Sequence, residues 1–139
     1  MEKIVLHGRR VYGGIAEGEA LVTKSGWAAF MANDVYTGQV TERGHELRGS
    51  SFKGKILVFA RGKGSSGFSM GAQALRLAGG APKALIIQEI NPQGALGSVV
   101  MRVPSITDLD QDPTEIITSG DWVKVDADNG IVEITKRTY

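Results

Sequence analysis

A short segment rich in glycine and serine, RGKGSSGFSMG at residues 61–71, carries the residue types that bind small anions. Its polar side chains are two cations and three hydroxyls: Arg61, Lys63, Ser65, Ser66 and Ser69. Glycines between them let a ligand approach the backbone, and the free N–H groups of a following helix would attract negative charge. The spacing is equally compatible with a plain strand-to-helix turn in which Ser69 caps the helix, so both interpretations stay open on spacing alone.

The segment fits the common phosphate and nucleotide motifs poorly or only in part. A Walker loop needs a lysine followed directly by serine or threonine, whereas Gly64 follows Lys63. Gly62, Gly64 and Gly67 have the spacing of a dinucleotide-binding fingerprint. That interpretation leaves the serines unused, and Glu89 is its only acidic candidate after the next strand. A serine hydrolase would need a histidine and an acid placed by the fold, and the chain has only two histidines.

Metal-binding patterns are weaker still. Three aspartates have the spacing that opens a calcium loop: Asp108, Asp110 and Asp112. Pro113 stands where that loop needs glycine, so a helix-capping loop is the preferred interpretation. His7 and His45 have no partner at helical or hairpin spacing, and each is interpreted as a structural or surface histidine. The chain has no cysteine, which excludes disulfides, thiolate zinc sites and an iron–sulfur cluster held by its own thiolates.

Length and composition predict a single domain over residues 1–139. The formal net charge is +1 and no basic stripe is present, so the sequence does not indicate binding to nucleic acid. The longest apolar runs, ILVFA and ALII, are too short to cross a bilayer. The first residues lack the apolar region of a signal peptide. We therefore expect a cytoplasmic protein with no membrane partner.

Two continuous apolar runs flank the helix that follows the glycine-rich segment. KILVFA (55–60) and PKALIIQEI (82–90) each predict a strand buried on both faces. The helix is predicted to carry an apolar stripe and to end at Gly79-Gly80; the stripe comprises Met70, Ala74, Leu75 and Leu77. Strand, helix and strand form a βαβ unit, so the two strands should be parallel with a right-handed crossover.

Short elements are predicted on either side of this unit. KIVLHG (3–8) and EGEALVT (17–23) are typical of strands, with a turn-rich GGIAEG before the second. SGWAAFMAND (25–34) is ambiguous between strand and helical turn. The polar stretch 34–54 predicts a long connection, a feature that in a compact domain often has a function.

The second half of the chain predicts three further elements. ALGSVVMRVPSI (95–106) is interpreted as a strand ended by Pro104, and DPTEII (112–117) as a short helix capped by Asp112. WVKVDADNGIVEIT (122–135) predicts a hairpin, with Asn129-Gly130 favouring a type I′ turn. The whole pattern indicates a mixed α/β domain with a buried parallel pair and two or three helices.

Several segments occur in the same order in a known family. They are GGIAEGEALVT, YTGQV, HELRGSSFKGKILVFARGKGSSGFS, GGAPKALIIQE and ALGSVV. Over residues 13–133 the chain resembles the swivel domain of aconitase X. This resemblance implies an α/β fold of the swivelling β/β/α type found in the aconitase superfamily, with a βαβ unit and a C-terminal hairpin. It also implies a small subunit that works with a large subunit, whose cysteines bind an iron–sulfur cluster; no cofactor is expected on this chain.

The resemblance further implies a hydro-lyase that is active only when the two subunits are together. Members dehydrate a small anionic hydroxy acid, either (R)-5-phosphomevalonate or cis-3-hydroxy-L-proline, and the substrate lies between the subunits. The family's proton acceptor is the serine of a GxGS motif, which assigns that role to Ser65. The neighbouring residues are expected to bind substrate: Arg61, Gly62, Lys63, Gly64, Ser66 and Ser69.

One departure from the superfamily limits what this chain can supply. Better-known members follow the serine directly with Ser-Arg, whereas Ser66-Gly67 stands here, so a clamping arginine must come from elsewhere. The alternative function is a non-catalytic swivel module that binds a small anion or carries phosphate. Because the glycine-rich segment has no histidine, His45 would have to carry the phosphate in that case.

Overall fold

Eight strands form one mixed sheet in a computed structural model of the chain, which describes residues 2–65 and 67–137. The elements are β1 (Lys3–His7), β2 (Arg9–Tyr12), β3 (Ile15–Val22), β4 (Ile56–Phe59), α1 (Gly67–Ala78), β5 (Ala84–Ile87), α2 (Pro92–Met101), β6 (Ser105–Thr107), α3 (Pro113–Ile116), β7 (Trp122–Asp126) and β8 (Ile131–Thr135). The strand order is β1-β8-β7-β3-β4-β5-β6-β2. No helix within the described ranges has the length and apolar character needed to cross a membrane.

Strand β3 joins a parallel half of the sheet to an antiparallel half. Residues 15–19 pair antiparallel with β7, and residues 20–22 pair parallel with β4. The predicted parallel pair of β4 and β5 is confirmed. The outermost strands, β1 and β2, are joined through Gly8, whose N–H donates to the carbonyl of Gly130 at 2.8 Å. The sheet therefore curls back on itself.

The two faces of the central strands line separate cores, as their continuous apolar sequences predict. Leu57 and Phe59 of β4 belong to a cluster formed with the helices, whereas Ile56 and Val58 belong to a cluster formed with β7 and β8. All four side chains have no solvent exposure. Burial on both faces explains why β4 has no polar position.

Helix α1 confirms the predicted helix but not its apolar stripe. It ends as expected at Gly79, which has a φ of 89° and donates its N–H to the carbonyl of Leu75 at 3.0 Å. Leu75 is buried, but the side chains of Met70 and Leu77 are 62% and 69% exposed. The buried face instead consists of Phe68, Gly71, Ala72 and Leu75. Glycine and alanine allow the close approach that a larger side chain would prevent.

The predicted strand over residues 95–106 is wrong, because most of it belongs to α2. Asn91 caps this helix by accepting a hydrogen bond from the N–H of Gly94 at 2.9 Å, and Pro92 occupies the first turn. The strand β6 begins only after Pro104. Capping and close packing of Gly97 on the ring of Phe68 therefore outweigh the strand preference of the valines.

Other differences are local. Strand β2 was not predicted, and β3 begins at Ile15, inside the expected turn. Residues 25–34 form neither a strand nor a helix and make only isolated bridges. The β7–β8 hairpin is confirmed, but Gly130 has a positive φ and Asn129 does not, so its turn is not type I′. Asp112 caps α3 as predicted.

Asp121 is a buried ionic anchor for the chain's C-terminal segment. Its carboxylate accepts hydrogen bonds from the Lys136 ammonium (2.5 Å) and from the N–H groups of Thr118 (2.8 Å) and Arg137 (3.1 Å). Burial by itself would raise the pKa of Asp121, but these hydrogen bonds, led by that of Lys136, outweigh it and lower the pKa below 3.8.

Asp121→Asn should lower the free energy of unfolding by about 2 kcal/mol or more at neutral pH, since it removes a charge-assisted bond to Lys136. The wild-type stabilisation is complete above the ordinary carboxyl pKa and is lost as the pH falls below about 4. Below about pH 4 the free energy of unfolding of the variant should therefore approach that of the wild type, as measured by denaturant unfolding across pH. Asp108→Asn, at an exposed ion pair with Arg9, is the control and should cost less than about 1 kcal/mol. An Asp121→Asn curve parallel to the wild type down to pH 2 would contradict this account.

Candidate active site

The glycine-rich loop begins at the carboxyl end of β4 and is fixed to the core at its start. The N–H of Trp27 donates to the carbonyl of Arg61 at 2.9 Å, and the N–H of Lys63 donates to the carbonyl of Trp27 at 3.0 Å. These bonds form a parallel bridge between Trp27 and Gly62. The Trp27 ring packs against three aromatic rings at centroid distances of 5.3–5.6 Å: Phe52, Phe59 and Phe68. The loop is therefore held by a buried aromatic cluster.

The N-terminus of α2 holds the other side of the loop. Asn91 donates from Nδ2 to the carbonyl of Gly62 at 2.7 Å, while its Oδ1 accepts from the N–H of Gly94. Gln93 donates from Nε2 to the carbonyl of Gly64 at 3.1 Å. One side chain thus caps α2 and fastens the loop at the same time.

Ser65 lies where the loop enters α1. Its Oγ accepts a hydrogen bond from the N–H of Gly67 at 3.3 Å, and its carbonyl accepts one from the N–H of Phe68 at 3.0 Å. The residue is exposed, and Gly64 before it has a φ of 106° with open space around it. A hydroxyl at a helix N-terminus lies in a field that favours negative charge on its oxygen. Ser69, the cap that the sequence predicts, instead lies inside the helix.

Both cations of the loop are paired with carboxylates. The Lys63 ammonium lies 2.5 Å from Oε2 of Glu42, and a terminal nitrogen of Arg61 lies 3.3 Å from Oε2 of Glu89. The Glu42 side chain is only 25% exposed, so its pairing with Lys63 is partly shielded from water. The expected substrate-binding charges are thus present near the loop but already neutralised.

Of the two other predicted serines, the structure describes only Ser69. Ser69 is the third residue of α1 and is half-buried. Ser66 lies outside the described residues. Residues 67–71 read GFSMG, which has the spacing of a hydrolase nucleophile motif, but they are continuous helix rather than a strand-to-helix turn. That spacing around Ser69 therefore carries no nucleophile here.

The other candidate groups do not form sites. The aspartates of segment 108–112 contact different partners, and no cluster of three potential metal ligands occurs in residues 2–65 and 67–137. His45 is buried, with Nε2 2.9 Å from the carbonyl of Gly26 and Nδ1 accepting from the N–H of Leu47 at 3.0 Å. Both ring nitrogens are bonded to backbone, so His45 is a structural histidine and a poor phosphate carrier.

Sequence reasoning missed the residues that support the loop. These residues lie many positions before or after the loop in the sequence, and contacts at that separation depend on the tertiary fold. They are Trp27, Glu42, Asn91 and Gln93. Only Asn91 had a local signal. Asparagine followed by proline is typical of the cap and first position of a helix, and this pattern was available in the sequence.

Asn91→Asp should separate the two tasks of Asn91. Aspartate caps helices as well as asparagine does, so the helix content measured by circular dichroism should stay unchanged. It has no donor for the Gly62 carbonyl, so backbone order parameters of residues 62–65, measured by NMR, should fall from about 0.85 toward 0.6. Gln93→Glu is the control for loss of an exposed contact. Unchanged order parameters in Asn91→Asp would contradict the fastening role.

Comparison with known proteins identifies the family. A family model described as the aconitase X swivel domain matches residues 5–134. The chain is 38% identical to the phosphomevalonate dehydratase small subunit of Methanosarcina acetivorans, covering 98% of this chain and 94% of that one. It is 40% identical to the corresponding protein of Thermococcus kodakarensis, covering 93% and 95%.

A solved structure agrees with these matches. The crystal structure of aconitase X from Thermococcus kodakaraensis, in its holo-form, superposes with a TM-score of 0.89 at 39% identity and covers 96% of this chain and 99% of that one. The expected swivelling α/β fold is therefore confirmed. With the family model matching almost the full length, this chain belongs to the aconitase X swivel domain family.

Proposed function

We propose that this chain is the small subunit of a phosphomevalonate dehydratase and that Ser65 is its proton acceptor. The relatives that match over almost their whole length carry this name. The observation that supports the residue assignment is the position of Ser65. Its hydroxyl is exposed at the N-terminus of α1, on a loop fastened to Trp27 on one side and Asn91 on the other.

The proposed reaction removes water from two neighbouring carbons of the substrate. Ser65 Oγ takes a proton from one carbon, and the electron pair of that C–H bond becomes the second bond of the new double bond. The hydroxyl of the neighbouring carbon leaves with its own electron pair and, after protonation, as water. The serine oxygen must therefore carry negative charge before the step, and the N–H of Gly67 together with the helix dipole stabilises that charge.

The loop is also suited to an anionic substrate. Neither α1 nor α2 has an acidic residue in its first turn, and the two helix N-termini meet at the glycine-rich loop through Asn91. Since the loop's cations are paired with Glu42 and Glu89, the attraction for a phosphate or carboxylate comes mainly from backbone N–H groups. A clamping arginine is assigned to the large subunit.

The iron–sulfur cluster implied by the family is likewise assigned to the large subunit. This chain has no cysteine, and its described residues bring no three ligating side chains together. Its residues therefore do not fit such a cluster. The contribution of this chain is confined to positioning the substrate and accepting the proton.

The test is an anaerobic assay of the small subunit alone and in complex with the large subunit. The complex should dehydrate (R)-5-phosphomevalonate and leave cis-3-hydroxy-L-proline unchanged, and the small subunit alone should do neither. Ser65→Ala and Ser65→Asn should each lower turnover by about 10²–10⁴-fold in an assembled complex.

The two variants separate proton transfer from the contact with the helix. Alanine removes both the hydroxyl and the hydrogen bond from the N–H of Gly67, whereas the side-chain oxygen of asparagine can still accept that bond. If Ser65→Asn retained activity, this hydrogen bond rather than proton transfer would be the role of Ser65. A stable wild-type complex that dehydrates only the hydroxyproline would contradict the proposed substrate, and one inactive on both would contradict the proposed function.

A further inference from the structure

An apolar surface runs along α1 from the candidate serine. We define the α1 stripe as five exposed side chains: Phe30, Met31, Tyr36, Met70 and Leu77, with exposures of 42%, 86%, 69%, 62% and 69%. They are half of the ten large apolar side chains that are exposed in the described part of the chain. Scattered single apolar residues need no explanation on a surface, but a group on one face indicates an interaction site.

Two segments form the stripe side by side. Met70 and Leu77 are seven positions apart, so they lie two helical turns from one another on one face of α1. The segment that carries the other three residues follows the same helix. At one end the Phe30 ring covers Gly67, where an added Cβ would lie 2.9 Å from it. At the other end the carbonyl of Val35 lies against Gly80, only 2.3 Å from an added Cβ.

We propose that the α1 stripe is a docking surface for the large subunit of the dehydratase. This inference rests on the proposed function, because a base that acts on substrate held between two subunits must face the partner. Phe30 covers Gly67, two residues from Ser65, so the stripe begins beside the candidate serine.

An interface of ordinary size is large enough to include the rest of the α1 stripe. A standard interface covers about 800 Å² on each side, equivalent to a disc of radius roughly 16 Å. Leu77 lies about 13 Å along the axis of α1 from the centre of its first turn, which is inside that radius. A partner whose interface is centred on the first turn of α1 therefore reaches Met31, Met70 and Leu77 as well.

The backbone at Met31 supports a binding role. Met31 has a φ of 54°, which is unfavourable for a residue with a side chain, and its side chain is the most exposed of the stripe. Hydrogen bonds hold the backbone around it: Asn33 donates from Nδ2 to the carbonyl of Ala28 at 2.9 Å and accepts from Nε1 of Trp27 at 3.1 Å. Binding therefore has to order the Met31 side chain but not its backbone.

The experiment compares Met31→Asp and Leu77→Asp with Ile15→Asp. Ile15 is 57% exposed and lies on β3 in the antiparallel half of the sheet, so it is a matched apolar control outside the stripe. Circular dichroism first establishes that each variant is folded. Affinity for the purified large subunit is then measured by calorimetry. Each stripe variant should weaken binding by about tenfold or more, and the control by less than about twofold.

The outcomes decide between partners. Wild-type affinity in both folded stripe variants would overturn the proposal. It would also be overturned if the isolated wild-type chain were a dimer by light scattering, Met31→Asp made it monomeric, and the affinity for the large subunit stayed unchanged. If the stripe variants bound the large subunit more weakly but the wild-type complex dehydrated neither substrate, the docking surface would be supported and the proposed function would be contradicted.

Discussion

The candidate site depends on how closely the backbone at Gly62 packs between two other elements. Gly62 is bridged to Trp27 and fastened by Asn91, and an added Cβ would lie 3.2 Å from both the Gly94 nitrogen and the Phe68 ring. Only glycine fits this position without displacement of its neighbours. The loop therefore leaves β4 in one direction, which fixes where Ser65 meets α1.

This arrangement makes the backbone, rather than side-chain charge, the main electrostatic feature of the loop. Lys63 and Arg61 stand beside carboxylates that cancel much of their field at longer range. The first turn of α1 has no acidic residue, so no carboxylate of its own opposes the field of the helix N-terminus. In the proposed reaction, groups that the fold already holds in place would stabilise both the negative serine oxygen and the anionic substrate.

The sequence predicted the elements that local apolar patterns and capping residues determine. It missed the elements that depend on contacts between residues far apart in the chain. β4, β5 and the hairpin followed from their apolar patterns, and α3 followed from Asp112 and Pro113. Residues 95–101 were predicted as strand because valine favours strands, whereas the cap at Asn91 and the packing of Gly97 favour a helix. The predicted apolar stripe of α1 was not confirmed, because Leu75 is buried but Met70 and Leu77 are exposed, and periodicity alone does not distinguish a buried apolar residue from an exposed one. The location of Ser65 could be anticipated, but its support by Trp27, Glu42 and Asn91 could not.

The most direct test of the central claim is a crystal structure of the assembled two-subunit enzyme, as the Ser65→Ala variant, with (R)-5-phosphomevalonate bound. The account predicts that the carbon losing its proton lies about 4–5 Å from Cβ at position 65, so that a serine oxygen there would be within about 3–3.5 Å of that carbon. It also predicts that this loop keeps its bonds to Trp27 and Asn91. A substrate carbon well beyond that reach, with another basic group beside it, would contradict the assignment of Ser65 as the proton acceptor.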